Sequence, residues 1–187
     1  MSRVHEADIV VSGFGGAGAA AAITARRRGA SVIVLEKQPQ DRHTPSTRMS
    51  GGLVMGVTDA EKAAAYLDRC AGGMIPADVS RAWAERAAGL ADWLHGVDPA
   101  LELARIGGAE HPDQPGADGI DVYQPGGAKS RLDPSGKAGA FLFERLARAA
   151  IAEGAEIAWQ TPARRLIREG GAITGIEAEG PDGPVRV

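Results

Sequence analysis

Cysteine is almost missing from this chain: Cys70 stands alone among 187 residues, so no internal disulfide is possible and nothing points to an oxidising compartment. In its Ala-rich helical surroundings it reads as a small packing residue. Long apolar runs are missing as well. No stretch approaches the roughly 20 residues that a membrane-spanning helix needs, and the start MSRVHEADIVV has no signal-peptide hydrophobic region. A cytoplasmic location is the default expectation. Charge of one sign is not in excess either, with 21 basic against 24 acidic residues and a net charge of −3. Neither this balance nor any large basic block recommends a nucleic-acid partner. Arg26, Arg27 and Arg28 are consecutive, but they fall in the last turn of an expected helix, where cations oppose its negative dipole end. His5, His43, His95 and His111 show no spacing with acids that would make a metal site. What remains is a chain with 44% hydrophobic content, long enough to bury a core.

Against these absences one stretch stands out. Residues 8 to 36 read DIVVSGFGGAGAAAAITARRRGASVIVLE. The β-branched run at residues 8–12 suits a buried parallel strand. Gly13, Gly15 and Gly18 follow in GxGxxG spacing as the chain enters an Ala-rich helix. Gly13 permits a tight turn, Gly15 lets the backbone approach a pyrophosphate, and Gly18 lets the helix pack closely on the strand. Phosphates would sit at the helix N-terminus, where unpaired N–H groups and the helix dipole favour negative charge. Gly29 caps the helix, residues 31–35 form a second strand, and Glu36 is placed to accept hydrogen bonds from a ribose 2′-hydroxyl. That carboxylate would repel a 2′-phosphate, so NADP is disfavoured relative to FAD or NAD. The fingerprint alone leaves those two open.

Taken with EKQP at 36–39 and STRMSGG at 46–52, the sequence resembles the FAD-binding part of the fumarate reductase and succinate dehydrogenase flavoprotein superfamily, in its 3-ketosteroid dehydrogenase-like branch. In that family a Thr/Ser-x-x-Ser-Gly-Gly loop follows the second strand and lies along the pyrophosphate and flavin end of FAD. Thr47, Ser50, Gly51 and Gly52 match it. The resemblance implies a Rossmann-like, glutathione-reductase-like α/β domain with a β-meander. It also implies cofactor contacts at Gly13, Gly15, Gly16, Ala17, Gly18, Glu36, Lys37, Thr47, Ser50, Gly51, Gly52 and, beside the adenine, Ala163. One departure concerns the Gly-Gly pair that usually precedes the loop, since His43-Thr44-Pro45 stands there. The covalent histidyl-flavin position of succinate dehydrogenases aligns with Pro45 and not His43, so non-covalent FAD is expected.

The remainder divides into an insertion and a return. Residues 1–56 and 138–187 are expected to form the nucleotide-binding core, with 57–137 as a helical and loop insertion. Thr58 with Glu61 makes a capping box for a helix to about Cys70, with Ala64, Leu67 and Ala71 along one side. A second helix is expected from Pro76 to about His95, placing Trp83, Ala87, Leu90 and Leu94 at helical spacing, with Trp83 and Trp93 as core. Glycine and proline then dominate from Gly107 to Gly136, which reads as a long connection. Within it Tyr123 and Arg131 could neighbour a substrate, and a surface-loop role fits them equally well. Residues 138–153 read as an amphipathic helix closed by Gly154, residues 155–160 as a strand, and Leu166, Ile167, Ile173, Ile176 and Ala178 as a hairpin around Gly170-Gly171. Residues 185–187 would begin a third strand.

Flavoproteins of this family continue past the meander into a further strand, a substrate-capping domain and a C-terminal segment. The resemblance therefore implies an N-terminal fragment, a truncated reading frame or one subunit of a split enzyme, with the substrate-capping domain absent. An unpaired parallel edge would then leave FAD weakly retained. The implied function is the FAD-binding portion of an oxidoreductase acting on a C–C or C=C bond, with a small-molecule substrate and an unidentified electron donor or acceptor. Its catalytic residues cannot be assigned within this stretch. An NAD-binding dehydrogenase domain and a non-catalytic nucleotide-binding module are the alternatives.

Overall fold

Among the described residues, the strand that leads into the glycine turn lies at the edge of its sheet. The computed structural model describes residues 3–126 and 138–187 and divides the chain into two compact units, Met1–Met49 with Phe143–Val187 and Ser50–Leu142. Arg131 lies outside the described residues.

In the first unit β2 (Ile9–Ser12), β3 (Val32–Leu35) and β7 (Glu156–Ala158) form a parallel sheet in the order β2-β3-β7. All four residues of β3 are buried, as expected of an apolar parallel strand flanked on both sides. β2 corrects the expectation of a buried strand. Ile9 and Ser12 are exposed and Val10 and Val11 half-buried, because among the described residues β2 pairs only with β3. At its entrance Asp8 and Ser31 exchange hydrogen bonds: each backbone N–H donates to the other's side chain, at 2.8 and 2.7 Å. The Ser31 hydroxyl, which donates to Asp8 Oδ2 at 2.7 Å, and after it the Ser31 N–H hold the Asp8 carboxyl below its usual range.

Helix α1 (Gly16–Arg27) connects β2 to β3 and buries Ile23 together with Ala19, Ala22 and Ala25, alanines whose small size suits close packing. Two of the three arginines at its end bond to oxygens beyond the helix, and Arg28 is its C-cap residue. Arg26 donates to the carbonyls of Ala30 and Glu153 at 2.8 Å, and Arg27 pairs with the Glu153 carboxylate at 2.7 Å. Helix α6 (Ala138–Ala152) matches its expected span, and within the first unit it buries Phe143, Leu146 and Ala150. β7 is shorter than expected, since the chain turns at Trp159 and Gln160, the latter at φ 53°.

The expected meander is present: β8 (Ala163–Glu169), β9 (Ala172–Gly180) and β10 (Gly183–Arg186) run antiparallel, turning at Gly170-Gly171. β1 (Arg3–Val4) adds in parallel to β10, giving the order β1-β10-β9-β8. Two residues leave no periodicity to read. Ile176 and Ala178 of β9 meet Ile33 and Leu35 of β3 in one core.

The second unit is built differently. β4 (Val54–Val57), β5 (Leu103–Gly108) and β6 (Ile120–Pro125) form an antiparallel sheet in the order β4-β6-β5. β5 and β6 replace part of the expected Gly/Pro connection. Their alternation is hidden by small and polar residues, and Arg105 and Gly107 sit at a register shift. Tyr123 is therefore a strand residue, packed over Gly56, rather than part of a loop.

Helix α3 (Ala60–Ala71) starts one residue later than expected: Asp59, not Thr58, caps it by accepting the Lys62 N–H at 3.1 Å. Its buried side is Ala63, Tyr66 and Ala71, and Cys70 is exposed rather than packed. The single helix expected up to His95 is two, α4 (Ala77–Ala87) and α5 (Leu90–Val97), broken at Ala88-Gly89. Val57, Ala63, Tyr66, Ala84, Ala117 and Ile120 form this unit's own core, with Trp83 packed against it.

Candidate cofactor-binding site

The turn after β2 is built by glycine where protein atoms demand it. Gly13 stands at φ 94°, the left-handed region open to glycine, and its N–H donates to the Leu35 carbonyl at 2.8 Å. A methyl group on Gly18 would run into the Gly13 carbonyl, which is the close helix-to-strand approach expected of this position. One on Gly16 would lie 2.8 Å from the Thr47 hydroxyl oxygen.

Gly15 is different. Its backbone is extended (φ −96°, ψ −167°), it supplies no side-chain cap to α1, and a methyl group there would reach only ordinary contact with Pro45 at 3.7 Å. The protein itself does not require glycine at this point. The space it leaves lies at the N-terminus of a 12-residue helix, where an anion is favoured.

Glu36 follows β3 and is only 4% exposed. Its backbone bridges to β7, with its N–H donating to the Ala158 carbonyl at 2.9 Å and its carbonyl accepting the Thr161 N–H at 2.8 Å. Its side chain reaches back to the turn: Oε2 accepts the Phe14 N–H and Oε1 the Gln38 N–H, both at 2.8 Å. A carboxylate offers about four acceptor positions, so these two bonds leave room for hydroxyl donors.

Thr47 lies in α2 (Ser46–Met49), a single helical turn where a loop was expected, and its hydroxyl accepts the Gly16 N–H at 2.9 Å. Glycine turn, Glu36 and Thr47 thus brace one another.

A cavity of about 390 Å³ brings together Gly13, Gly15, Glu36, Lys37, Pro45 and Ala163. Ala17 is exposed in the first turn of α1. Ser50, Gly51 and Gly52 belong to the second unit. There Ser50 Oγ accepts the Gly52 N–H at 3.1 Å and its carbonyl accepts the Gly139 N–H at 3.2 Å. A methyl group on Gly52 would sit 2.5 Å from the Ala138 backbone. Packing at the start of α6 is thus sufficient to account for Ser50 and Gly52, whereas among the described residues none comes close to the place of a methyl group on Gly51.

Sequence reasoning did not single out the aromatic group behind Glu36. Phe14, 1% exposed, stacks on His43 with ring centroids 5.9 Å apart and 13° between planes, and Phe143 and Trp159 meet His43 edge-on at 5.3 and 5.0 Å. Burial among these rings holds the His43 imidazole below its ordinary pKa, against the opposing pull of Glu36. The four residues are scattered in sequence, so no spacing could have signalled them.

Residues 8–187 match the family model of an FAD binding domain. The chain belongs to that family. This settles FAD over NAD as the cofactor of the domain, and the residues present fit it: a helix N-terminus left open by Gly15, and an acidic acceptor on the same cavity. The 3-oxo-5-alpha-steroid 4-dehydrogenase of Comamonas testosteroni is 28% identical over 201 residues, covering 91% of this chain and 37% of the relative. Among solved structures, the 3-ketosteroid-delta4-(5alpha)-dehydrogenase of Rhodococcus jostii superposes with a TM-score of 0.80 at 20% identity, covering 98% of this chain and 44% of that one. A flavocytochrome c3 fumarate reductase superposes at 0.68 with 19% identity, covering 99% and 31%. The fold is that of the FAD-binding flavoproteins, and this FAD-binding chain spans less than half the length of these relatives. Among the described residues no helix is long and apolar enough to cross a membrane.

Proposed function

We propose that the cavity between the glycine turn and Ala163 holds the adenosine diphosphate part of non-covalent FAD, and that the chain is the FAD-binding portion of an oxidoreductase acting on a C–C or C=C bond. The observation that carries this reading is Gly15. It opens a helix N-terminus to an anion on the same cavity as a buried carboxylate, without any packing demand for glycine. In this reading the backbone at Gly15, Gly16 and Ala17 faces the pyrophosphate, and Glu36 accepts the ribose hydroxyl. Lys37 adds charge at the rim and Ala163 lies against the adenine. Ser50, Gly51 and Gly52 extend the contacts toward the flavin.

Bound FAD supplies the acceptor or donor of hydride, while a protein acid or base handles the proton on the neighbouring carbon. This chain's own share is to bind and orient the cofactor. The whole protein's substrate is proposed to be a small ketone of the 3-oxosteroid class named by the relative, with a separate electron donor or acceptor.

Titration of the purified chain with FAD, followed by flavin absorbance and fluorescence, tests the binding. Acid precipitation should release all the flavin into the supernatant. A chain that binds NAD and no FAD would overturn the reading, as would flavin remaining with the precipitate for its non-covalent part. Turnover of a 3-oxosteroid by the whole protein with an artificial electron acceptor tests the reaction class.

A further inference from the structure

His43 is buried, does not line the cavity, and faces Glu36, the one carboxylate that does among the described residues. Its side chain is 6% exposed, and its Nε2 lies 3.5 Å from Glu36 Oε2 with no hydrogen-bond partner of its own. That distance is about half an ångström longer than an N–H···O hydrogen bond. Phe14 closes the arrangement, because its ring stacks on the imidazole while its backbone N–H donates to the same Oε2. With Phe143 and Trp159 on its edges, the imidazole has little freedom to turn away.

The acceptor positions of Glu36 can be counted. Phe14 N–H takes one on Oε2 and Gln38 N–H takes one on Oε1, while the imidazole, 3.5 Å away and too far for a hydrogen bond, stands over a second on Oε2. One position remains for a ligand. A protonated imidazole would compete with the ligand for the carboxylate, whereas a neutral one with its proton on Nε2 would aim a donor at the carboxylate and add no charge. Burial favours the neutral form, and the Arg48 cation works in the same direction, while Glu36 opposes both.

We propose that His43 is a positioning residue that acts through Glu36, holding the carboxylate from its buried side so that the site selects a nucleotide with a free ribose 2′-hydroxyl. The proposal rests on reading the cavity as the adenosine diphosphate site. It adds a residue that touches no ligand yet sets what the ligand must offer.

The test compares ADP with 2′-deoxy-ADP by titration calorimetry on the full 187-residue chain. The unsubstituted chain should bind ADP about tenfold more tightly than 2′-deoxy-ADP, the size of one hydrogen bond to a charged group. His43→Phe keeps the ring stack and removes the donor, so the preference should fall to about twofold or less, with ADP carrying most of the loss. His43→Gln places an amide N–H at similar reach and should restore the preference, while His43→Asn is too short and should not. If His43→Phe fails to fold, the Gln and Asn pair decides the question.

An unchanged preference in His43→Phe and His43→Asn would sink the proposal. Equal weakening of both nucleotides would reduce His43 to packing and sink it too. ADP binding without any 2′-hydroxyl preference in the unsubstituted chain would overturn the proposal while leaving the nucleotide site standing. No binding of either nucleotide would instead overturn the adenosine diphosphate site, and this inference with it.

Discussion

Gly15 of the first unit does the opposite job to four glycines of the second. In the second unit Gly52, Gly56, Gly116 and Gly119 sit where a methyl group would strike protein: the Ala138 backbone, the Tyr123 ring, the Lys62 carbonyl, and the Lys62 side chain with the Asp59 carbonyl. In the first unit Gly18 does the same against the Gly13 carbonyl, but Gly15 borders a cavity and leaves space that no protein atom needs. The lesson concerns how to read a glycine-rich chain: a position emptied for protein and one emptied for a ligand look alike in sequence and differ only in what surrounds them.

Substitutions can break or sharpen this contrast. The largest effect is expected from Gly18→Ala, which forces the α1 helix off the β2 end and should cost on the order of 3 kcal/mol or prevent folding. Denaturant unfolding measures it, and a loss below about 1 kcal/mol would contradict the close approach. Gly56→Ala should destabilise by about 2 kcal/mol through the Tyr123 ring, with FAD affinity of the folded protein unchanged. Weakened FAD binding in that variant would show that the second unit's glycines are not purely for packing.

Gly15→Ala is the counterpart. Stability should fall by about 1 kcal/mol or less, the difference between glycine and alanine at a helix N-cap, while FAD binding weakens about tenfold or more, equivalent to about 1.4 kcal/mol. Calorimetric titration beside a thermal melt separates the two quantities. Asp59→Ala should cost about 1 kcal/mol by uncapping α3, whereas Thr58→Ala should cost almost nothing.

The smallest effect concerns pH. Folded His43 binds its proton more weakly than the unfolded chain, whose ordinary value is 6.5. Its contribution is therefore complete above that value and is lost as pH falls through 6.5 toward the lowered folded value. Melting temperatures taken from about pH 8 to about pH 5 should fall more steeply for the unsubstituted chain than for His43→Phe. Parallel curves would mean that burial does not lower the His43 pKa.

Much of the first unit was legible beforehand. Strand, glycine turn, helix and second strand follow one another within 28 residues, so local propensity and steric requirement agree at every step. The hairpin at Gly170-Gly171 was legible for the same reason. The second unit was not, because β5 and β6 pair across a register shift and carry small residues whose alternation means little until the partner strand is beside them. The capping box failed by one residue, since both Thr58 and Asp59 are competent caps and only the chain's path chooses between them.

At the candidate site the same division holds. The amino-acid order alone placed the glycine turn and the acid after the second strand, because those depend on neighbours a few residues apart, while FAD followed from the family resemblance. Only the tertiary structure decided that β2 pairs with β3 alone among the described residues, that Gly52 packs against α6, and that Phe14, His43, Phe143 and Trp159 enclose the buried side of Glu36. These depend on which distant segments meet, and the spacing of residues along the chain carries no record of that.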